Sequence, residues 1–290
     1  MFIESSVVCS DAMSDTKATV ALGFDFDAVS IWLHSFEFLE SPTKHSRGVF
    51  GVDVGTPRML DLLDRLEVPA TWFIPGHTID SFPEMCGEVY DRGYPIQHHG
   101  WKHTNPANFE TREDEKADVE RALDSIQELT GETPSGYRSP YWDYSKHTLG
   151  IIQELGFEWD SSLMGHDFEP YYVRENWSAD PEKAYDPGTE TDVLEIPVSW
   201  HRDDWPPFQF ILGADSQGGA PDEVQVFEMW QAQFDWMYDN VDGGVYTLTM
   251  HPQVIGQAPR PLYLEQLIRH MQSKPGVEFK TFDEIATEHK

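Results

Sequence analysis

Two histidines four residues apart, His99 and His103, stand in the run HHGWKH. On a helical turn that spacing puts both side chains on one face, within reach of a single cation. A third ligand has to come from elsewhere, and the carboxylates of GFDFD, Asp25 and Asp27, are its natural suppliers. Two imidazoles and a carboxylate leave one coordination position open, the arrangement of a hydrolytic zinc site or a comparable transition-metal site. A chain with 12 histidines also yields such a pair by chance, so the pair gains its weight from its company.

That company sits at the ends of strands. Apolar, β-branched runs predict strands near Thr19 to Phe26, Ala70 to Ile74, Tyr94 to Gln97, Gly136 to Arg138, Phe157 to Trp159, Leu194 to Val198, Val245 to Thr249 and Val277 to Phe279. Helical periods fall between them, most clearly over Pro57 to Leu66, Arg112 to Leu129, Lys146 to Leu155, Asp222 to Tyr238 and Pro261 to Met271. Such βα alternation predicts an α/β fold on a parallel sheet. Just past the predicted strands stand Asp25 and Asp27, His77, His98 with His99 and His103, Arg138, Asp160, His201 and His251. In a barrel those ends converge into one site, although an open doubly wound sheet also gathers ligands at strand ends. His98 reads as structural, pointing away from its neighbour His99. His77 reads equally as pocket lining or as a plain loop residue. Two long stretches, 29–55 and 165–192, read as irregular loops rich in aromatics such as Trp32, Phe36, Tyr171 and Trp177, of the kind that form lids or binding walls.

The blocks GFDFD, HHGWKH, YRSPYW, WDSSL and TLTMHP, in that order, resemble the motifs of the polysaccharide deacetylase superfamily. The longer runs GFDFDAVSIWL, PATWFIPGH and SLMGHDFEPYYVREN are similar to its intracellular branch of peptidoglycan deacetylases and cyclic imide hydrolases. The resemblance implies a distorted (β/α) barrel of about seven parallel strands and a hydrolase dependent on one divalent metal ion, zinc by preference. It implies Asp27, His99 and His103 as metal ligands, Asp25 as general base and Arg138 as the residue holding that base. His251 becomes the general acid, with Asp160 positioning it, and the Tyr141 backbone amide faces the developing oxyanion. Trp142 and His77 join Tyr141 as substrate-side residues. Exported relatives usually carry adjacent aspartates where GFDFD has Phe26 between them, which leaves open which of the two binds metal; residues two apart on a strand share a face, so both can point into the barrel mouth.

Composition narrows the partners. Twenty Lys and Arg against 51 Asp and Glu give a net charge of −31, with the acid spread along the chain. Phosphate backbones and anionic membranes need clustered cations, so neither nucleic acid nor membrane is an expected partner. No apolar stretch is long enough to span a bilayer, and the N-terminus lacks the pattern of a secretory signal. Two cysteines, Cys9 and Cys86, make no disulfide framework. These features predict a cytoplasmic protein with an N-terminal tail, 1–17, and one domain, 18–290. The expected substrate is an acetylated sugar or a small amide or imide, and exposed aromatic loops leave room for a homo-oligomer. Hydrolysis of a non-peptide C–N bond of the N-acetyl sugar type leads. Ring opening of a cyclic imide or ureide is its rival, and a barrel that binds without turnover is the third reading, against which Asp25, Arg138 and His251 argue.

The dispersed carboxylates also predict adaptation to a salty interior. Melting temperature should rise from low to molar potassium chloride as the self-repulsion is screened; equal stability across the series removes that reading.

Overall fold

The computed structural model describes residues 16–211 and 222–290. Most of the expected tail, Cys9 and the pair Gly218-Gly219, which reads as a turn in the sequence, lie outside the described residues. Each of the eight segments expected as strands overlaps an observed one: β1 (Ala18–Asp25), β2 (Thr71–Ile74), β3 (Ile96–His98), β4 (Gly136–Tyr137), β5 (Trp159–Asp160), β7 (Thr189–Glu195), β8 (Gly244–Met250) and β9 (Val277–Phe279), although β5 shares only Trp159 with its expected span and β7 only Leu194 and Glu195. An additional strand, β6 (Tyr171–Glu175), pairs antiparallel with β7 and makes one end of the sheet. The order is β6-β7-β5-β4-β3-β2-β1-β8, with β9 beside β1. Leaving out β6 and β9, seven parallel strands form the curved wall, in accord with the expected count.

β1 is the axis of this wall. It is buried along its whole length, as a parallel strand covered on both faces must be. Its side chains divide by parity. Val20, Leu22 and Phe24 pack outward under helices, with Leu60 and Leu63 of the helix Thr56–Leu66 and Leu264 and Ile268 of the helix Arg260–Gln272. Ala21 packs inward with Phe73, Trp159, Ile196, Val245 and Phe282. Phe282, Ile285 and Ala286 reach that interior from the C-terminal helix Phe282–Glu288, whose start is fixed by a capping box between Thr281 and Glu284.

The same inward parity carries Gly23 and then Asp25 toward the carboxyl ends of the strands. Gly23 has to be small: a Cβ there would stand 2.8 Å from Nη1 of Arg138. The guanidinium lies above Phe73, 3.7 Å from its ring centre.

The long stretches are not loops throughout. The first holds a π-helix (Ile31–Ser35), an α-helix (Pro42–Phe50) and a second π-helix (Gly51–Gly55) that runs into the helix Thr56–Leu66. The second holds β6 and the start of β7. Opposite β1 the wall is not continuously laddered. It is bridged by the segment after β7: Asp203 pairs in parallel with Thr249, the Asp204 amide donates to the Thr249 carbonyl at 3.2 Å, and Nε of Arg202 donates to the Thr247 carbonyl at 3.0 Å. This bridge brings 202–204 against the end of β8.

Because Arg138 is fully buried and bonded on three sides, it cannot yield to a new methyl group. Gly23→Ala should therefore destabilise the fold by about 1–3 kcal/mol, as overpacking does, and push Arg138 off Asp25. Thermal unfolding measures the first effect; an unchanged melting temperature would show that the guanidinium has room to move.

Candidate active site

Asp27 follows β1, and His99 and His103 follow β3. The two histidines are not on a helix. The chain bends at Gly100, whose φ is +68°, and His103 itself has φ +51°; this loop brings the two rings to 4.9 Å between centres. Their Nε2 atoms lie 3.5 Å and 3.4 Å from Oδ1 of Asp27. His99 Nδ1 donates to the Arg138 carbonyl at 2.8 Å, so its tautomer is set with Nε2 facing Asp27.

Burial presses both histidines toward the neutral form. His99 is lowered to about 4, and His103 falls well below the ordinary histidine value. Neutral imidazoles have the free lone pair a metal needs. Asp27 moves the other way. Burial raises its carboxyl well above the usual range, and the carboxyls of Asp25, Asp203 and Asp204 add to the rise, against His251.

Both carboxyl oxygens of Asp27 and Nε2 of His99 are buried without a hydrogen-bond partner among the described residues. Buried polar atoms are ordinarily paired, and three orphaned acceptors turned toward one point fit a cation. Charge agrees. Asp25, Asp27, Asp203 and Asp204 are all buried, with the Arg138 guanidinium paired to Asp25 and the imidazole of His251 paired to Asp204. Asp27, His99 and His103 could together hold a metal ion.

Asp25 sits beside this triad. Nη1 of Arg138 donates to its Oδ1 at 2.7 Å, while Nε and Nη2 of Arg138 are taken up by the carbonyl and hydroxyl of Ser161. Burial works against a charge on Asp25, but Arg138, His99 and His251 outweigh it and hold the carboxyl below the usual range. Asp25 is therefore ionised at neutral pH, with Oδ2 3.8 Å from His99 Nε2.

His251 faces the triad from the end of β8, its Nε2 3.7 Å from Oδ2 of Asp27. Asp204, which no feature of the sequence had singled out, accepts from its Nδ1 at 2.7 Å and from its backbone amide at 3.0 Å. Burial alone would strip the ring of its proton; Asp204, with Asp203 and Asp27, reverses this and raises His251 to about 10.

Three expectations are corrected here. Asp160 does not position His251: it accepts from the Ser162 hydroxyl at 2.7 Å and from the Ser162 amide at 3.1 Å, beside Glu195, its partner in register on β7. His77 does not line the cavity; its Nδ1 pairs with the Ser30 hydroxyl at 2.8 Å. His201 is exposed on the short 3-10 turn Trp200–Arg202, and its neighbours Asp203 and Asp204 are the residues that reach the site. The acidic pair in HRDDW was the available signal. His98 is buried, with Nε2 against the Val119 carbonyl at 3.1 Å and its ring on Tyr137, as a structural residue should be.

Asp25, His99, His103 and His251 open into a small cavity of about 60 Å³. Its remaining walls are Ile31, Phe36, Tyr141, Trp142, Asp203, Trp205 and Trp200, with Trp142 stacked on Trp200 at 4.5 Å. Tyr141 and Trp142 both have positive φ, 63° and 50°, and so turn the chain sharply into the cavity. A cation site with an ionised carboxylate on one side and a protonated imidazole on the other defines the class of metal-dependent hydrolases.

The comparisons with known proteins agree. The family model described as polysaccharide deacetylase matches residues 48–159. The peptidoglycan deacetylase of Helicobacter pylori is 39% identical over 277 residues, 92% of this chain and 94% of that protein. A peptidoglycan deacetylase-like protein of Gibberella zeae is 30% identical, over 94% of this chain and 86% of its own length. A solved structure from Mycobacterium smegmatis superposes with a TM-score of 0.84 at 30% identity, over 98% of this chain and 93% of that one. The chain belongs to the polysaccharide deacetylase family.

Asp204→Asn should lower the pH at which His251 gives up its proton, because the charge that holds the proton is removed. An NMR titration of the imidazole reads this directly. A midpoint unmoved by the substitution would assign the raised value to another group.

Proposed function

We propose that this protein hydrolyses a non-peptide C–N bond of an N-acetyl sugar or related amide, with one divalent ion, zinc by preference, held by Asp27, His99 and His103. The observation that carries this reading is the placement of Asp25–Arg138 and His251–Asp204 on either side of one ligand triad. Bound there, a divalent ion lowers the pKa of water toward ~7 and polarises a carbonyl. Asp25, kept ionised by Arg138, accepts the proton of the attacking water. His251, kept protonated by Asp204, gives its proton to the departing nitrogen, without which an amine leaves badly. We assign the Tyr141 amide to the developing oxyanion, a role its sharply turned backbone supports. Trp142, Trp200 and Trp205 shield the reacting groups from bulk water.

The relatives' names support an acetylated glycan. The cavity favours a second reading. At about 60 Å³ it falls below the ~300 to 1,000 Å³ of ordinary ligand pockets, and its aromatic walls suit one compact ring better than a chain of sugars. Ring opening of a cyclic imide or ureide needs the same base and acid. We place either reaction in the cytoplasm, in one domain over 18–290, and read the acidic surface as suited to high salt.

Metal-loaded protein assayed in high salt on acetylated oligosaccharides and on succinimide-type rings tests both readings. Turnover of either is expected, and the faster class identifies the substrate. Folded, metal-replete protein inert toward both would overturn the proposal. Asp25→Asn should retain metal and lose about 10²–10⁴ in kcat, the usual worth of a general base; full activity would remove Asp25 from that role.

A further inference from the structure

The geometry assigns Ser35 as the positioning residue of His103, joining the third cation ligand to the wall of the substrate cavity. The assignment rests on the metal-triad reading above and on a count of hydrogens. A serine hydroxyl has one hydrogen to donate and lone pairs to accept with. Oγ of Ser35 is 2.6 Å from the carbonyl oxygen of His103 and 2.7 Å from its Nδ1. A carbonyl can only accept, so the single hydroxyl hydrogen goes there. The contact with Nδ1 must then run the other way, from ring to hydroxyl. Nδ1 carries the hydrogen of the neutral ring, and Nε2, 3.4 Å from Asp27, carries the lone pair.

One side chain thus grips His103 at both its ring and its backbone. The backbone needs the grip: φ of +51° is a conformation that a residue with a Cβ adopts only when its surroundings impose it. Ser35 also ends the π-helix Ile31–Ser35, and such turns are rare and concentrated at functional sites. Ile31 at its start and Phe36 just after its end line the cavity. The Tyr141 hydroxyl donates to the Ser35 carbonyl at 3.2 Å. The wall that meets substrate and the ligand that meets the cation are therefore parts of one short, bonded segment.

Partners of a ligating histidine's second nitrogen typically contribute 10–100-fold to metal affinity. Ser35→Ala should weaken zinc binding by about that factor, measured by chelator competition, and should alter the visible absorption of the cobalt-loaded protein. Ser35→Thr, which keeps the hydroxyl, should restore both. Melting of the metal-free proteins separates this from loss of fold, and Ser35→Gly, which also lacks the hydroxyl, gives the same reading should Ser35→Ala not fold. His103→Ala, measured alongside, separates the two layers of the argument. If His103→Ala loses zinc while Ser35→Ala binds it within twofold of the parent, the role of Ser35 is overturned and the triad stands. If His103→Ala retains zinc at full affinity, the triad falls and takes Ser35 with it.

Discussion

A carboxylate buried without a partner is the constraint around which this molecule is arranged. Asp27 presents two oxygens that no donor among the described residues reaches, in a pocket that already holds three more carboxyls. Arg138 neutralises Asp25, and His251 neutralises Asp204. Burying an ion without countercharge is too costly to persist, so Asp27 either takes up a proton or receives a cation. Its raised pKa expresses the first solution. The neutral, correctly oriented imidazoles of His99 and His103 prepare the second.

Arg138 links these parts. Its side chain keeps Asp25 ionised, and its backbone carbonyl sets the tautomer of His99. The arginine in turn depends on features with no chemistry of their own: the missing side chain at Gly23, the ring of Phe73 beneath it and the two groups of Ser161. The proposed general base and one proposed metal ligand are thus positioned by a single residue. A displacement of Arg138 would disturb the proton acceptor and the cation together, which ties the packing of the barrel interior to both halves of the chemistry.

What the sequence made legible was local. Apolar runs marked the parallel strands, because strands such as β1, β2 and β8 are buried along their whole length and are mostly apolar. Polar residues just past them marked Asp25, Asp27, His99, His103, Arg138 and His251, because strand ends in such a wall converge. What stayed hidden depends on contacts distant in sequence. Asp204 meets His251 across 47 positions, and only the bridge from Asp203 to Thr249 brings it there. The i, i+4 spacing of His99 and His103 suggested the correct pairing for the wrong reason, since a loop bent at Gly100 joins them. The π-helix that places Ser35 carries no period that a helical or strand template would match.

Asp160 shows what decides between two strand-end carboxylates. It closes β5, which lies between β4 and β7, so its neighbour in register is Glu195. Burial and the nearby Asp160 raise Glu195 well above the usual range, and Glu195 Oε1 accepts from the backbone amides of Ser162 and Leu163 at 3.0 Å and 2.9 Å. His251 closes β8, at the other end of the wall beyond β1. The partner of His251 had to come from whichever segment crosses the unladdered side, and 202–204 is that segment. A polar residue's position along its strand brings it to the mouth of the barrel. The lateral order of the strands then decides which neighbour it meets there, and lateral order is the property that a linear pattern of apolar runs does not encode.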